Sequence, residues 1–152
     1  MGGGEAERAW PRELEEFAKR VEEVFGPLEA VLVYGSFAKG LEGVWSDVDV
    51  LVVSDSFAEL GIADRLLVLM NLAEKRVEPL GYTYEELKNM VEKANPLALN
   101  ALIDGVALKE SPRIRELRRR AASTYTKKGG VWIPTSQKPS RFDGAESLRS
   151  SR

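Results

Sequence analysis

Hydrophobic and polar positions follow two periods along the chain, and this pattern predicts helices separated by short strands. Apolar residues recur every three or four positions in several segments, as on one face of a helix. Short apolar runs between them, such as 30–34 and 48–53, are typical of buried strands. The predicted helices are 11–25, 60–73, one beginning at 83, 96–103 and 112–125, and the predicted strands are 30–34, 48–53, 76–80 and 105–108.

Three elements carry specific expectations about burial. The run Val48–Val53 has no polar face after Asp49, which predicts a central strand. Strand 76–80 is expected to end at Gly81, and Pro79 favours a position at the sheet edge. The helix at 60–73 is expected to direct its larger apolar side chains inward, namely Leu66, Leu67, Leu69, Met70 and Ala73.

The chain of 152 residues is long enough for one domain with a single sheet. The alternation of elements predicts an α/β (α+β) fold, a small mixed sheet with flanking helices. We expect a flexible N-terminus at 1–10, a folded domain at 11–125 and a basic, mobile tail at 126–152, where Gly, Ser, Lys and Pro are frequent. The apolar segment Val131–Ile133 within that tail fits three roles: docking on the domain, adding an edge strand or meeting a partner.

Composition narrows the available chemistry. The chain has no cysteine and no histidine, which excludes disulfides, thiolate zinc sites, a cysteine nucleophile and a histidine base. A bound metal would need oxygen ligands, and these favour Mg²⁺ or Mn²⁺. Neither an apolar run long enough for a bilayer nor a signal peptide is evident, so we expect no membrane contact and a cytoplasmic location.

Charge is distributed unevenly along the chain, although the net charge is only −2. Residues 1–108 carry 10 Lys or Arg and 20 Asp or Glu, whereas residues 109–152 carry 12 and 4. The basic segment either folds against the acidic body or forms a surface for RNA, triphosphate or an acidic protein. The ordinary helical pattern around Arg118 favours the first interpretation.

A glycine–serine turn follows the first predicted strand. Gly35 permits a sharp exit and a close approach of a ligand to the backbone, and the N–H groups of Ser36 and Phe37 would lie at a helix start, where anions bind. Ser36 adds a hydroxyl group, and Lys39 adds a positive charge one turn later. By itself such a turn is also an ordinary connection between a strand and a helix.

Two carboxylates make a metal site the better interpretation. Ten residues separate Ser36 from Asp47, and Asp49 follows two positions later. Strand residues i and i+2 point to the same face, about 6.5–7 Å apart. Like charges beside an apolar strand repel each other and lose solvation, and a metal ion offsets both effects. Glu78 is the candidate third carboxylate and candidate base, since its strand can neighbour Val48–Val53. An edge-strand glutamate paired with Arg76 explains Glu78 about equally well.

The Gly-Ser, ten residues, Asp-x-Asp pattern resembles the nucleotidyltransferase superfamily that includes DNA polymerase beta, and the short chain resembles its minimal members. The resemblance spans about residues 14–110. It implies the polymerase beta-type fold, with Gly35 and Ser36 binding the triphosphate and Lys39 in a position often held by arginine. Asp47, Asp49 and Glu78 would then form the catalytic triad that holds two metal ions, with glutamate at 78 departing from the usual aspartate.

The same resemblance implies a function, transfer of AMP from ATP to an acceptor hydroxyl. Residues 111–152 are too few to build an acceptor-binding domain, so the acceptor platform is expected on another protein. Minimal members often pair with a helical HEPN protein, and some act as antitoxins that adenylylate a tyrosine of that toxin. Two alternatives stay open: a toxin-binding module without catalysis, and transfer to RNA or a small molecule. A homo-oligomer through the segment around Trp132 is also open.

Overall fold

A computed structural model of the chain describes residues 10–35, 38 and 47–135. The candidate residues Ser36 and Lys39 lie outside these ranges. The described helices are α1 (Arg12–Phe25), α2 (Ile62–Leu72), α3 (Tyr84–Glu92), α4 (Pro96–Leu99) and α5 (Pro112–Thr124), with a 3₁₀-helix at Asp55–Glu59 and a π-helical turn at Asn100–Asp104. The strands are β1 (Ala30–Tyr34), β2 (Val48–Val53), β3 (Val77–Tyr82), β4 (Val106–Glu110), β5 (Tyr125–Lys128) and β6 (Val131–Pro134).

Four strands form a mixed sheet in the order β3–β2–β1–β4. β1 pairs antiparallel with both β2 and β4, whereas β2 pairs parallel with β3. A parallel pair needs a crossover, and the 3₁₀-helix and α2 supply it. The predicted α/β fold with a small mixed sheet is confirmed, and so is the central position of β2.

Helices cover both faces of this sheet. On one face α1 buries Leu14, Phe17 and Val21 against the valines of β1 and β2, together with Phe57 and Leu69. On the other face α3, α4 and α5 pack over a second core, which includes Leu32, Leu51, Leu87, Leu102 and Ile114. Because each strand residue alternates between these faces, the position of a carboxylate in β2 decides which core it borders.

Local sequence signals explain several helix ends. Thr83 accepts from the backbone N–H of Glu86, whose side chain accepts in return from the N–H of Thr83, the capping box that the sequence predicted. The side chains of Asn95 and Ser111 cap α4 and α5 by accepting from the backbone N–H groups of Ala98 and Ile114, and each is followed by a proline in the first turn. These caps fix where the helices over the second core begin.

The expected orientation of the second helix is wrong in part. Leu69 is buried, but Leu67 is 65% exposed and Met70 is 57% exposed. The buried face is completed by Arg65, which donates to Leu60 O, Gly81 O and the Glu86 carboxylate, the last at 2.6 Å. Arg65 can therefore lie on the buried face of α2 because Glu86, which is distant in the sequence, pairs with its charge.

β3 is longer than the sequence predicted and continues through Gly81 to Tyr82. Gly81 lies inside this strand. A larger residue does not fit there, because a β-carbon would come within 2.8 Å of Leu69 Cδ1 and 2.9 Å of Phe57 Cε2. The glycine therefore permits α2 and the 3₁₀-helix to pack closely on the edge strand. Among the described residues, no helix has the length and apolar character that a membrane crossing requires.

Residues 125–134 form a two-stranded antiparallel hairpin, β5–β6, separate from the main sheet. Its indole-bearing residue Trp132 donates from Nε1 to Asn100 Oδ1 at 2.9 Å, and the Tyr125 hydroxyl donates to Val91 O at 2.7 Å. Of the three roles open to the Val131–Ile133 segment, the structure therefore has it docked on the domain. The segment from residue 126 onward was expected to be mobile, and its first part is folded as this hairpin.

Candidate active site

A row of three polar side chains crosses the sheet at the end of β1 and the beginnings of β2 and β3. Tyr34 is the register partner of Asp49 in the antiparallel pair, and Asp49 is the partner of Glu78 in the parallel pair. Directly paired residues point to the same face, so all three side chains lie together at the margin of the second core. Asp47 immediately precedes β2 and is exposed. The structure thus places Asp47 and Asp49 beside Glu78, whereas their roles at the site stay a prediction.

The negative charge of Asp47 raises the pKa of both other carboxyl groups. The pKa of Glu78 is raised, first by a hydrogen bond with Asp47 and by the Asp47 charge, and to a smaller degree by burial and by Asp49. The pKa of Asp49 is raised by burial and by the Asp47 charge. Both shifts mean that negative charge at this end of the sheet is unfavourable without a compensating cation.

Tyr34 is held in its neutral form by the same surroundings. Burial, the carboxylates Asp49 and Glu78 and the neighbouring Tyr82 raise the pKa of its phenol to about 12. At neutral pH its hydroxyl is therefore a hydrogen-bond donor beside the acids. Tyr34 was not among the predicted site residues, although it lies directly before Gly35 in the sequence.

The donor chemistry suits a hard divalent cation, because every group in the cluster offers oxygen and the raised pKa values show uncompensated repulsion. Among the described residues, however, no group of three or more His, Cys, Asp or Glu side chains is arranged to hold a metal ion. The residue types therefore fit Mg²⁺ or Mn²⁺. The described carboxylates do not, however, converge as the ligands of one ion would.

Gly35 lies directly against the acids. Its backbone has φ +80°, and a β-carbon placed on it would lie 2.5 Å from Asp49 Oδ2. Only glycine combines that backbone conformation with so close an approach to a carboxylate. Ser36 and Lys39 lie outside the described ranges, so they remain predicted triphosphate contacts.

Two open pockets meet at Asp49 and Tyr34, which line both. The larger, about 430 Å³, has a mainly apolar wall from α2 and β3, with Glu78 and Lys75 at its polar end. That wall is formed by Leu66, Met70, Val77, Pro79 and Leu80. The smaller pocket, about 280 Å³, is polar and is lined by Gly35, Asn100, Asp104 and Lys127 in addition to the two shared residues.

The basic C-terminal segment contributes mostly internal ion pairs within the described part of the chain. Arg113 pairs with Glu29 and Asp55 at 2.8 and 2.6 Å, and Arg118 pairs with Glu110 at 2.9 Å. Arg118 also donates to the carbonyl oxygens of Leu102 and Gly105, next to the π-helical turn. These contacts agree with the first interpretation of the charge asymmetry, in which the basic segment folds against the acidic body.

The sequence matches the family model described as the nucleotidyltransferase domain over residues 14–103, more than half of the chain. The chain belongs to this family. The matched range contains the glycine–serine turn and all three carboxylates, while α5 and the β5–β6 hairpin lie beyond it. Nucleotidyltransferases of this family generally use nucleoside triphosphates and divalent metal ions, and both agree with the chemistry of the acid cluster.

Two solved structures resemble this nucleotidyltransferase. A candidate nucleotidyltransferase from Sulfolobus solfataricus has 21% identity and a TM-score of 0.49, covering 65% of this chain and 78% of that chain. A toxin–antitoxin structure with AMP-PNP has 16% identity and a TM-score of 0.42, covering 72% of this chain and 84% of that chain. Among curated proteins, none matches the sequence significantly.

Proposed function

We propose that this nucleotidyltransferase moves a nucleoside monophosphate, with AMP from ATP as the first choice, to an acceptor hydroxyl group. The observation that carries the proposal is the direct register pairing of Asp49 with Glu78, with Gly35 in close contact with Asp49 and Asp47 hydrogen-bonded to Glu78. In this proposal the three carboxylates hold one or two divalent ions, Mg²⁺ or Mn²⁺. When bound, such ions neutralise the phosphates and stabilise charge at the α-phosphorus.

The proposed reaction is a substitution at the α-phosphorus. The acceptor oxygen forms a bond to that phosphorus, the bond between it and the β-phosphate oxygen breaks, and pyrophosphate leaves with the electron pair. The acceptor proton passes to a carboxylate, for which Glu78 is the candidate because it lines the larger pocket next to the proposed acceptor. Gly35 together with Ser36 and Lys39 would bind the triphosphate.

The two pockets suggest how donor and acceptor share the cluster. The polar pocket contains Gly35, the first residue of the predicted triphosphate turn, so we assign the nucleotide to that side. The acceptor then enters from the larger pocket, where Glu78 lies beside an apolar wall. An apolar wall ending in carboxylates suits an aromatic ring that carries a hydroxyl group.

We further propose that this acceptor is a tyrosine of a HEPN-type toxin, which would make the protein an antitoxin. The support is the sequence resemblance to minimal nucleotidyltransferases, combined with the aromatic-compatible wall of the larger pocket. RNA is the less favoured acceptor because Arg113, Arg115, Arg118 and Arg119 of α5 are engaged by acidic side chains. A small-molecule acceptor and a purely binding role are the remaining outcomes of the tests.

The first test is calorimetric titration of the nucleoside triphosphates into the wild-type protein with and without Mg²⁺. We expect Mg²⁺-dependent binding of ATP that disappears in Asp47→Ala/Asp49→Ala and persists in Asp64→Asn. Asp64 is an exposed aspartate in the first turn of α2, so its substitution removes a carboxylate charge away from the site. A folded wild-type protein that binds none of the triphosphates would contradict the proposal.

The acceptor is tested separately with α-labelled ATP and a purified HEPN-type protein. Label on a tyrosine of that protein, located by mass spectrometry and lost in Glu78→Gln, would support protein adenylylation. Label on added RNA, or a complex that forms unchanged without nucleotide and metal, would instead support one of the two alternatives.

A further inference from the structure

The β5–β6 hairpin provides a wall of the polar pocket, although it lies beyond the residues that the family match covers. Lys127 on β5 lines this pocket together with Gly35, Asp49 and Tyr34. It is the only cation among the described residues of that lining. Asp49 and Asp104 carry negative charge in the same lining. Among the described lining residues, Lys127 is therefore the group that would attract a polyanionic ligand.

The position of Lys127 is fixed by three contacts around it. Its Nζ lies 2.7 Å from Asp104 Oδ2 and 4.8 Å from the centre of the Trp132 ring. The indole of Trp132 is itself hydrogen-bonded to Asn100, on the same π-helical turn that carries Asp104. The ammonium group is thus held at the pocket while its side chain remains 31% exposed.

An ammonium group has three N–H donors, and the ion pair with Asp104 uses one of them in this structure. The remaining donors and the charge are available to a ligand. We propose that Lys127 is a nucleotide-binding residue, contributed by the C-terminal hairpin, that contacts the triphosphate in the polar pocket. The inference rests on the proposed function and adds a phosphate contact outside the glycine–serine turn and the acid cluster.

A purely structural role of Lys127, in which its ion pair with Asp104 only docks the hairpin on the domain, must be distinguished from a role in nucleotide binding. Two substitutions separate these roles because they break the same ion pair from opposite sides. Lys127→Met removes the cation, whereas Asp104→Asn keeps the cation and removes an anion from the pocket. If the Lys127–Asp104 ion pair only stabilises hairpin docking, both substitutions weaken that docking and have the same effect on nucleotide binding.

Dissociation constants for ATP in the presence of Mg²⁺ are measured calorimetrically, with hydrogen exchange of residues 125–134 as the measure of hairpin docking. We expect Lys127→Met to weaken ATP binding about tenfold or more, the effect of losing a charged hydrogen bond. We expect Asp104→Asn to tighten binding, because Lys127 is released and a negative charge is removed. The matched control is Lys128→Met, which removes the same charge from the next, exposed residue of β5.

The inference is overturned if the dissociation constant of Lys127→Met for ATP equals that of the wild type or that of the control Lys128→Met. It is also overturned if Lys127→Met and Asp104→Asn weaken binding equally while the hairpin loses protection. Failure of the proposed function has a different signature, since the wild-type protein itself would then show no Mg²⁺-dependent binding of ATP.

Discussion

Gly35 and Asp49 are so close that a single methyl group on Gly35 would overlap Asp49 Oδ2, at 2.5 Å. Gly35 directly follows β1 and Asp49 lies near the start of β2, so the antiparallel pairing of these strands sets the approach. The conformation of the glycine and the position of the carboxylate are therefore coupled. A change at residue 35 acts on the acid cluster directly.

Gly35→Ala is expected to abolish Mg²⁺-dependent ATP binding by displacing the Asp49 carboxylate. It should also lower the free energy of unfolding by about 1–2 kcal/mol, since an alanine is strained at positive φ. Gly26→Ala is the matched control, because Gly26 has φ +86° but no atom within 4 Å of an added β-carbon. Calorimetry should find normal ATP binding in Gly26→Ala; equal loss in both variants would show that backbone strain, not the carboxylate, is responsible.

Asp49→Asn is expected to raise the melting temperature of the metal-free protein at neutral pH. The pKa of Asp49 is raised, so the folded state holds the proton more tightly and becomes less stable as pH rises through that pKa. The amide lacks this penalty. Mg²⁺ should raise the melting temperature of the wild type and of Asp64→Asn, but not that of Asp49→Asn. A lower metal-free melting temperature in Asp49→Asn would contradict this account of repulsion.

The ion pair of Arg65 with Glu86 is expected to make stability depend on pH. The hydrogen bond from Arg65 is the main cause of the lowered pKa of Glu86, so the pair stabilises the fold above the ordinary carboxyl pKa of 4.5. That contribution is lost as pH falls through the lowered pKa. Glu86→Gln should therefore cost about 1.5–3 kcal/mol at neutral pH and much less in acid, as measured by urea unfolding.

Glu85→Gln is the control for this pair, since Glu85 is exposed in the same first turn of α3. Its substitution should change the free energy of unfolding little at either pH. If Glu86→Gln lowers the free energy of unfolding equally at acidic and neutral pH, Glu86 stabilises the fold through packing and not through its charge.

Trp132→Ala is expected to release the β5–β6 hairpin from the domain. The substitution removes the hydrogen bond to Asn100 and the ring beneath Lys127, together worth about 1–2 kcal/mol. Amides of residues 125–134 should then exchange about tenfold faster, which hydrogen-exchange mass spectrometry can measure. Val131→Ala should leave exchange unchanged, because Val131 is 60% exposed on the neighbouring position of β6.

Much of the sheet and the position of the two aspartates at the start of β2 were predictable because the relevant signals are local. The apolar runs of β1 and β2 match the observed strands at both ends, and Thr83 begins α3 through the predicted capping box. The two-residue period of strands also placed Asp47 and Asp49 on one face. These features depend on neighbours within a few residues, which the sequence displays directly.

The remaining features depend on contacts between distant segments. Helix periodicity alone favoured Leu67 and Met70 as core residues, but the buried face of α2 was decided by the pairing of Arg65 with Glu86. The polar pocket was not predictable for the same reason. Lys127 reaches Asp104 only because the hairpin docks through Trp132, and the sequence left three roles open for that segment.

The parallel pairing of β2 with β3 also determines how the three acids can be separated. Asp49 lies in β2, which pairs with β1, and Asp47 immediately precedes it, whereas Glu78 lies beyond the crossover that contains α2. The two aspartates therefore belong to one segment of the chain, while the triad depends on the docking of two distant strands. Local unfolding of α2 and β3 would take Glu78 away from the aspartates and relieve the repulsion among the three acids.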